Sequence, residues 1–286
     1  MSLIKTISGK SAERPSDYEE PYYWATGAGF YGGKYPAWWD VSQSEVAKLL
    51  EDNYEEIKAE VLDFYENRRA KLRPNWLQWG YSNEGWLTLD LYSFGMKTHR
   101  NCKEFPFLHS LVSEIPGMML AQVAVLKPNT RIRPHIGETS GLIRCHLPLV
   151  VPGTAPDLGM RVGSETRCWE EGKVFALNIA YRHAAWNLTD KPRLIVVVDY
   201  VHPDFADRQH EIEANSLALM GMKGFANWAT PFKKAPTWVT KPIQSVLAVG
   251  FRAMLFLQRR FDIAPSKLVA HRPPGRRRSI KERLSA

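Results

Sequence analysis

The 286-residue chain carries three cysteines, Cys102, Cys145 and Cys168, and no two of them are spaced C-x-x-C. An odd, scattered set argues against a disulfide framework and against a thiolate zinc site, and it fits a reducing compartment. No run reaches the 18 or so consecutive apolar residues that a membrane span requires. The opening stretch, MSLIKTISGKSAERPSDYEEPYYW, has no apolar core of the kind a secretory signal uses, so the expectation is a cytoplasmic protein. There is no G-x-x-x-x-G-K-[ST] phosphate loop and no internal repeat, so nucleotide chemistry has no visible support.

What the chain does have is a core. With 44% apolar and 12% aromatic residues it can bury a large hydrophobic interior. The formal charge of +8 is not spread over that body: residues 259–286 hold nine basic and two acidic side chains, a net +7, and the preceding 258 residues carry only +1. The body is near neutral and the basic character belongs to a tail.

Residues 1–41, rich in glycine, proline and aromatics (YYWATGAGFYGGKYPAWWD), read as an irregular segment pinned to the body by its rings. Ser42 followed by Glu45 resembles a capping box, and Val46, Leu49, Leu50, Tyr54, Ile57, Val61 and Phe64 fall at helical spacing, which predicts a helix over 43–68. Beyond it, β-branched and apolar runs recur near 84–92, 118–127, 141–151, 159–163, 173–179 and 193–201, separated by turn-forming KPNT, VPGTAPDLG, WEEGK and TDKP. Short strands without intervening helices predict a mainly β body, a sandwich or barrel, with flanking helices. The expected division is residues 1–75 packing on a core of 76–210, followed by a C-terminal extension of 211–286.

Polar residues interrupt two of the apolar runs. Arg144 and His146 sit in LIRCHLPLV and Arg193 begins RLIVVV, while His135 and His183 each follow a strand-like run. Two neutral imidazoles converging in a barrel mouth can ligate a divalent metal, although a pair of surface or hydrogen-bonded core histidines satisfies the same spacing. An inward guanidinium among apolar residues demands an anion; the alternative is a solvated face, with each arginine paired to a carboxylate on a neighbouring strand.

These residues also carry a resemblance. PHIG, RCHL, ETRCWEEGKV, RHAAWN, an arginine ten positions beyond His183, and VDYVHP, in that order, resemble the aspartyl/asparaginyl β-hydroxylase family over about residues 118–203, with weaker similarity back to PAWWD. The resemblance implies a double-stranded β-helix of the jelly-roll, cupin-like type and an iron(II)/2-oxoglutarate-dependent dioxygenase that consumes O2. It further implies His135 and His183 as the iron ligands and Arg193 as the partner of the distal carboxylate of 2-oxoglutarate. Arg144 and His146 would complete the co-substrate's contacts, and Trp86 would close the pocket. The carboxylate of the usual two-histidine, one-carboxylate set would stand at Gly137, and its absence matches the family. Glu138, one residue on, is expected on the opposite face. Three departures stand out: Ala124 where a serine is usual, Asn178 and Ile179 in place of an acidic pair, and Ala184 in place of an acidic residue.

The extension contains VTKPIQSVLAVGFRAMLFLQRRF, residues 239–261. At about 100° per residue, Gln244, Ser245, Arg252 and Arg259 share one arc, interrupted by Ala248 and Leu255, and apolar residues cover most of the rest. Followed by the basic tail, such a helix suits peripheral insertion into an anionic membrane surface; burial against the barrel or at a dimer seam is the competing expectation. The tail lacks interleaved aromatics, so nucleic acid is not an expected partner. A membrane-bound extension favours a lipid acyl chain as substrate, and a soluble one favours an aspartyl or asparaginyl side chain of a protein or a small amino-acid-like molecule. A barrel that binds without turnover is the alternative of another class.

Overall fold

A computed structural model describes residues 35–75, 85–228 and 235–263. The aromatic-rich residues 1–34 and the basic residues 264–286, on which part of the sequence reading fell, lie outside the described residues.

Buried aromatics open the described chain: strand β1 (Trp38–Trp39) has both indoles inside. Ser44, not Ser42, caps the first helix, its hydroxyl accepting the Ala47 N–H at 3.1 Å, whereas the Ser42 N–H is held by Asp40. The predicted single helix is two, α1 (Glu45–Asp52) and α2 (Tyr54–Arg68). They part at Asn53, whose side-chain amide donates to the Leu49 carbonyl at 2.8 Å and competes with the backbone ladder there. Val46, Ala47 and Leu50, then Ile57, Val61 and Phe64, still face the core, so the helical spacing was real although continuity was not.

The body that follows is antiparallel. After β2 (Arg73–Pro74) come β3 (Trp86–Ser93), β4 (Met96–Lys97), the short helices α3 (His99–Cys102) and α4 (Pro106–Ser113), and β5 (Met118–Leu126). Next are β6 (Thr130–His135), β7 (Leu142–Val150), β8 (Leu158–Val162), β9 (Glu165–Arg167), β10 (Phe175–Leu177), β11 (His183–Asn187) and β12 (Arg193–Val201), and two long helices close the described chain, α5 (Gln209–Trp228) and α6 (Thr237–Phe261).

The strands form two sheets. The larger runs β1-β10-β7-β12-β5-β3-β2, with β4 on β3; the smaller runs β6-β11-β8-β9. Strands β5 and β12 are buried along their whole length, covered on both faces, which is why they read as continuous apolar runs without alternation. Strands β6 and β11 escaped the sequence reading, and they are the ones that carry the two histidines. Both are short; β6 is half exposed and β11 is rich in small residues, so neither offers an apolar run. The architecture is a double-stranded β-helix of jelly-roll type with flanking helices, as the resemblance had implied and within the sandwich-or-barrel reading of the strand pattern.

Candidate active site

Alternation along the strands builds a cavity between the sheets. On β12, Arg193, Ile195 and Val197 line it from successive inward positions. Register places Ala124 of β5 opposite Ile195, and Gln122 of β5 and His146 of β7 opposite Val197. Ile132 and His135 of β6, Met160 of β8 and His183 of β11 close it from the smaller sheet, and Trp86 of β3 stands at 6.3 Å from the His135 ring, centroid to centroid. A register shift between His183 and Ala185 breaks the alternation of β11, and so His183, Ala184 and Ala185 line the cavity consecutively.

The two histidines are direct cross-strand partners, His183 of β11 against His135 of β6, with ring centroids 4.3 Å apart. Each Nδ1 lies 2.8 Å from a backbone carbonyl two residues earlier, Arg133 for His135 and Tyr181 for His183. A carbonyl only accepts, so Nδ1 carries the proton and Nε2 the lone pair in both rings. Burial pushes both imidazoles below the ordinary histidine range, that of His183 strongly, with the proximity of His135 adding to it. Two neutral imidazoles with fixed tautomers are the donor set a divalent first-row metal takes. Backbone oxygens orient them where acidic side chains would otherwise do so, which makes Asn178 and Ala184 compatible with a formed site. Asn178 has its own structural work: its side-chain oxygen accepts the Ala180 N–H at 3.0 Å.

No third donor stands with them: among the described residues, no group of three histidine, cysteine or acidic side chains is placed to share a metal. Gly137 explains part of this. A Cβ there would lie 2.8 Å from the Ile179 side chain, and the Gly137 N–H donates to the Ile179 carbonyl at 2.8 Å, so the space a side chain would need is filled. Glu138 is buried and paired with Lys223 of α5 at 2.9 Å, outside the cavity.

Across the cavity stands an unmatched cation. Arg193 is 2% exposed, and its Nε and Nη1 have no hydrogen-bond partner among the described residues. Its guanidinium lies 4.5 Å from the centroid of the Trp169 ring, and burial lowers its pKa to about 9. A buried guanidinium with open donors is costly unless an anion joins it, and a carboxylate fits its planar fork. Arg144 differs. Asp199, opposite it on β12, takes it in a bidentate pair with both distances at 2.7 Å. Arg144 lines the cavity with its charge already met, the neighbouring-strand pairing that was the alternative, but in a largely buried setting. His146 accepts the Trp169 indole N–H on Nδ1 at 3.2 Å, and burial, then Arg144, hold it well below its ordinary pKa.

The structure thus brings His135, His183, Arg144, His146, Arg193 and Trp86 to one cavity. Sequence reasoning missed Trp169 and Asp199, which hold Arg193, His146 and Arg144 in place. Trp169 lies within the quoted ETRCWEEGKV, but no spacing rule ties it to a strand 24 positions later. Asp199 was legible in principle, being in phase with Arg193, Ile195 and Val197.

A sequence model of the aspartyl/asparaginyl beta-hydroxylase family matches residues 51–203. The ornithine lipid ester-linked acyl 2-hydroxylase of Rhizobium tropici is 35% identical over 156 residues, covering 52% of this chain and 50% of that protein. The aspartyl/asparaginyl beta-hydroxylase of Mus musculus is 31% identical over 187 residues, 62% of this chain and 25% of that protein. The chain therefore spans half the length of one relative and a quarter of the other. Among solved structures, a Pseudomonas putida prolyl-4-hydroxylase aligns with a TM-score of 0.35 at 13% identity, over 55% of this chain and 97% of that one.

Proposed function

Since the chain belongs to the aspartyl/asparaginyl β-hydroxylase family, we propose that it is an iron(II)/2-oxoglutarate-dependent hydroxylase whose substrate is the acyl chain of a membrane lipid. The observation that carries this reading is the buried guanidinium of Arg193, whose Nε and Nη1 have no hydrogen-bond partner among the described residues, facing the same cavity as two neutral imidazoles. His135 and His183 would hold the metal through Nε2, and Arg193 the distal carboxylate of 2-oxoglutarate. When bound, iron and 2-oxoglutarate supply the oxidising power: one atom of O2 enters the substrate C–H bond as hydroxyl, and the other leaves in succinate as CO2 is released.

The remaining wall positions and excludes. Trp169 covers the Arg193 guanidinium and keeps water from it, and its hydrogen bond fixes the His146 ring. Ala124 leaves one wall position without a hydroxyl, so the co-substrate's polar contacts fall to Arg193, His146 and Gln122. Beside the histidines, Ile132, Met160 and Ala184 form an apolar wall suited to hydrocarbon. A carboxylate or amide substrate would need a donor there, and Arg144 is already committed to Asp199. The acyl hydroxylase from Rhizobium tropici supports the same choice.

Turnover tests it. The iron-loaded chain is given 2-oxoglutarate and O2 with either an acyl-ester lipid in detergent or an aspartyl/asparaginyl peptide, and succinate is measured. Succinate coupled to a hydroxylated acyl chain is expected. Coupling to the peptide alone would overturn the lipid assignment, and no succinate with either would favour a binding module.

A further inference from the structure

Helix α6 meets the body along a narrow seam. Leu255 and Gln258 are buried, Phe251 packs on the core, and Gln258 holds Lys97 of β4 at both ends, accepting its N–H at 3.0 Å and donating to its carbonyl at 2.9 Å. Arg259 reaches the fully buried carboxylate of Glu213 on α5. At about 100° per residue, Ala248, Phe251, Leu255 and Gln258 fall in one stripe. The seam therefore takes the two residues that interrupt the polar arc, and most of the apolar surface of the helix points outward.

That outward face is large. Trp238, Val246, Val249, Phe256 and Phe261 are between 63% and 77% exposed, and Leu257 lies among them. Soluble surfaces scatter such residues singly and do not align them. Lys241 and Arg252 run along one edge of the face and Arg260 stands at its end, with no acidic residue anywhere from Thr237 to Phe261. Residues 264–286 add seven basic side chains against one acidic. No helix among the described residues is long and apolar enough to cross a membrane.

We propose that the outer face of α6 docks on an anionic lipid bilayer, its apolar side chains entering the headgroup–acyl boundary and its flanking basic ones meeting the headgroups. Among the described residues nothing covers this face, because the body holds the opposite side. A second copy would set Lys241, Arg252 and Arg260 against their own kind, whereas an anionic surface neutralises them. The inference concerns a surface separate from the cavity, so iron and 2-oxoglutarate binding report the hydroxylase reading while vesicle binding reports this one.

The test is sedimentation of the full chain with vesicles of phosphatidylcholine, alone or mixed with phosphatidylglycerol, alongside analytical ultracentrifugation without lipid. Expected is binding to the mixed vesicles at least tenfold tighter than to phosphatidylcholine, weakening with salt, and at least tenfold weaker in the doubly substituted Val249→Asp, Phe256→Asp chain. Both positions are exposed, so the variant should melt as the wild type does. Absence of wild-type binding to the mixed vesicles, or equal binding by the variant, would overturn the proposal. So would a wild-type dimer that the same substitutions dissociate without loss of vesicle binding, which would assign the face to a second copy.

Discussion

Replacing Arg193 with methionine should stabilise the unliganded protein while abolishing its response to 2-oxoglutarate. Burial lowers the guanidinium pKa from its ordinary value to about 9; at about 1.4 kcal/mol per pH unit, holding the cation in the unliganded cavity costs at most about 5 kcal/mol. The Trp169 face returns up to about 2 kcal/mol of that, and methionine fills a similar volume without charge. A net gain of about 1–3 kcal/mol is expected at pH 7, or about 2–4 °C in Tm for each kcal/mol. Because the folded pKa lies below the unfolded one, the unfolded chain binds more protons above about pH 9, and wild-type stability gains from this group as pH rises beyond that point. The advantage of Arg193→Met should therefore be full at pH 7 and shrink above pH 9. Urea melts of both metal-free proteins at pH 7 and pH 10 measure it, and in anaerobic melts of the iron-loaded proteins added 2-oxoglutarate should raise the Tm of the wild type alone. A variant less stable than wild type by more than about 1 kcal/mol, or one equally stabilised by 2-oxoglutarate, would refute the assignment of Arg193 as an anion-seeking cation.

Gly137→Asp should not create a third metal ligand, because its Cβ would meet Ile179 at 2.8 Å; a Tm decrease corresponding to about 1–3 kcal/mol, with no gain in iron affinity by anaerobic titration, is the expected outcome. Asp199→Asn leaves the largely buried Arg144 without its carboxylate, and a urea melt should show a loss of about 3–5 kcal/mol. Trp169→Leu removes the ring over Arg193 and the donor to His146; calorimetry should show 2-oxoglutarate binding weakened about tenfold, the loss of a cation–π contact of order 1 kcal/mol, with iron binding intact.

Much of this site was legible because strands alternate. Arg144 with His146, and Arg193 with its apolar neighbours two and four positions on, announced an inward polar face among residues that otherwise read as core. The pairing of His135 with His183 was legible only through the resemblance, since it depends on two short strands with little apolar signal and on a register that only the closed sheets define. The break at Asn53 was hidden for a related reason, since one side-chain amide outcompeted a backbone bond while the apolar spacing continued on both sides. On α6 the helical periodicity was correct, yet it could not say which stripe would meet the body; Gln258 and Leu255 decided that by fitting β4 and the α5 surface.

The most direct measurement is anaerobic calorimetric titration of iron(II), then 2-oxoglutarate, into the wild type, His135→Ala and His183→Ala chains. One iron and one 2-oxoglutarate per wild-type chain, with iron affinity reduced at least a hundredfold in either alanine variant, is the predicted result. Undiminished iron binding in both variants would contradict a metal centre built on these two imidazoles.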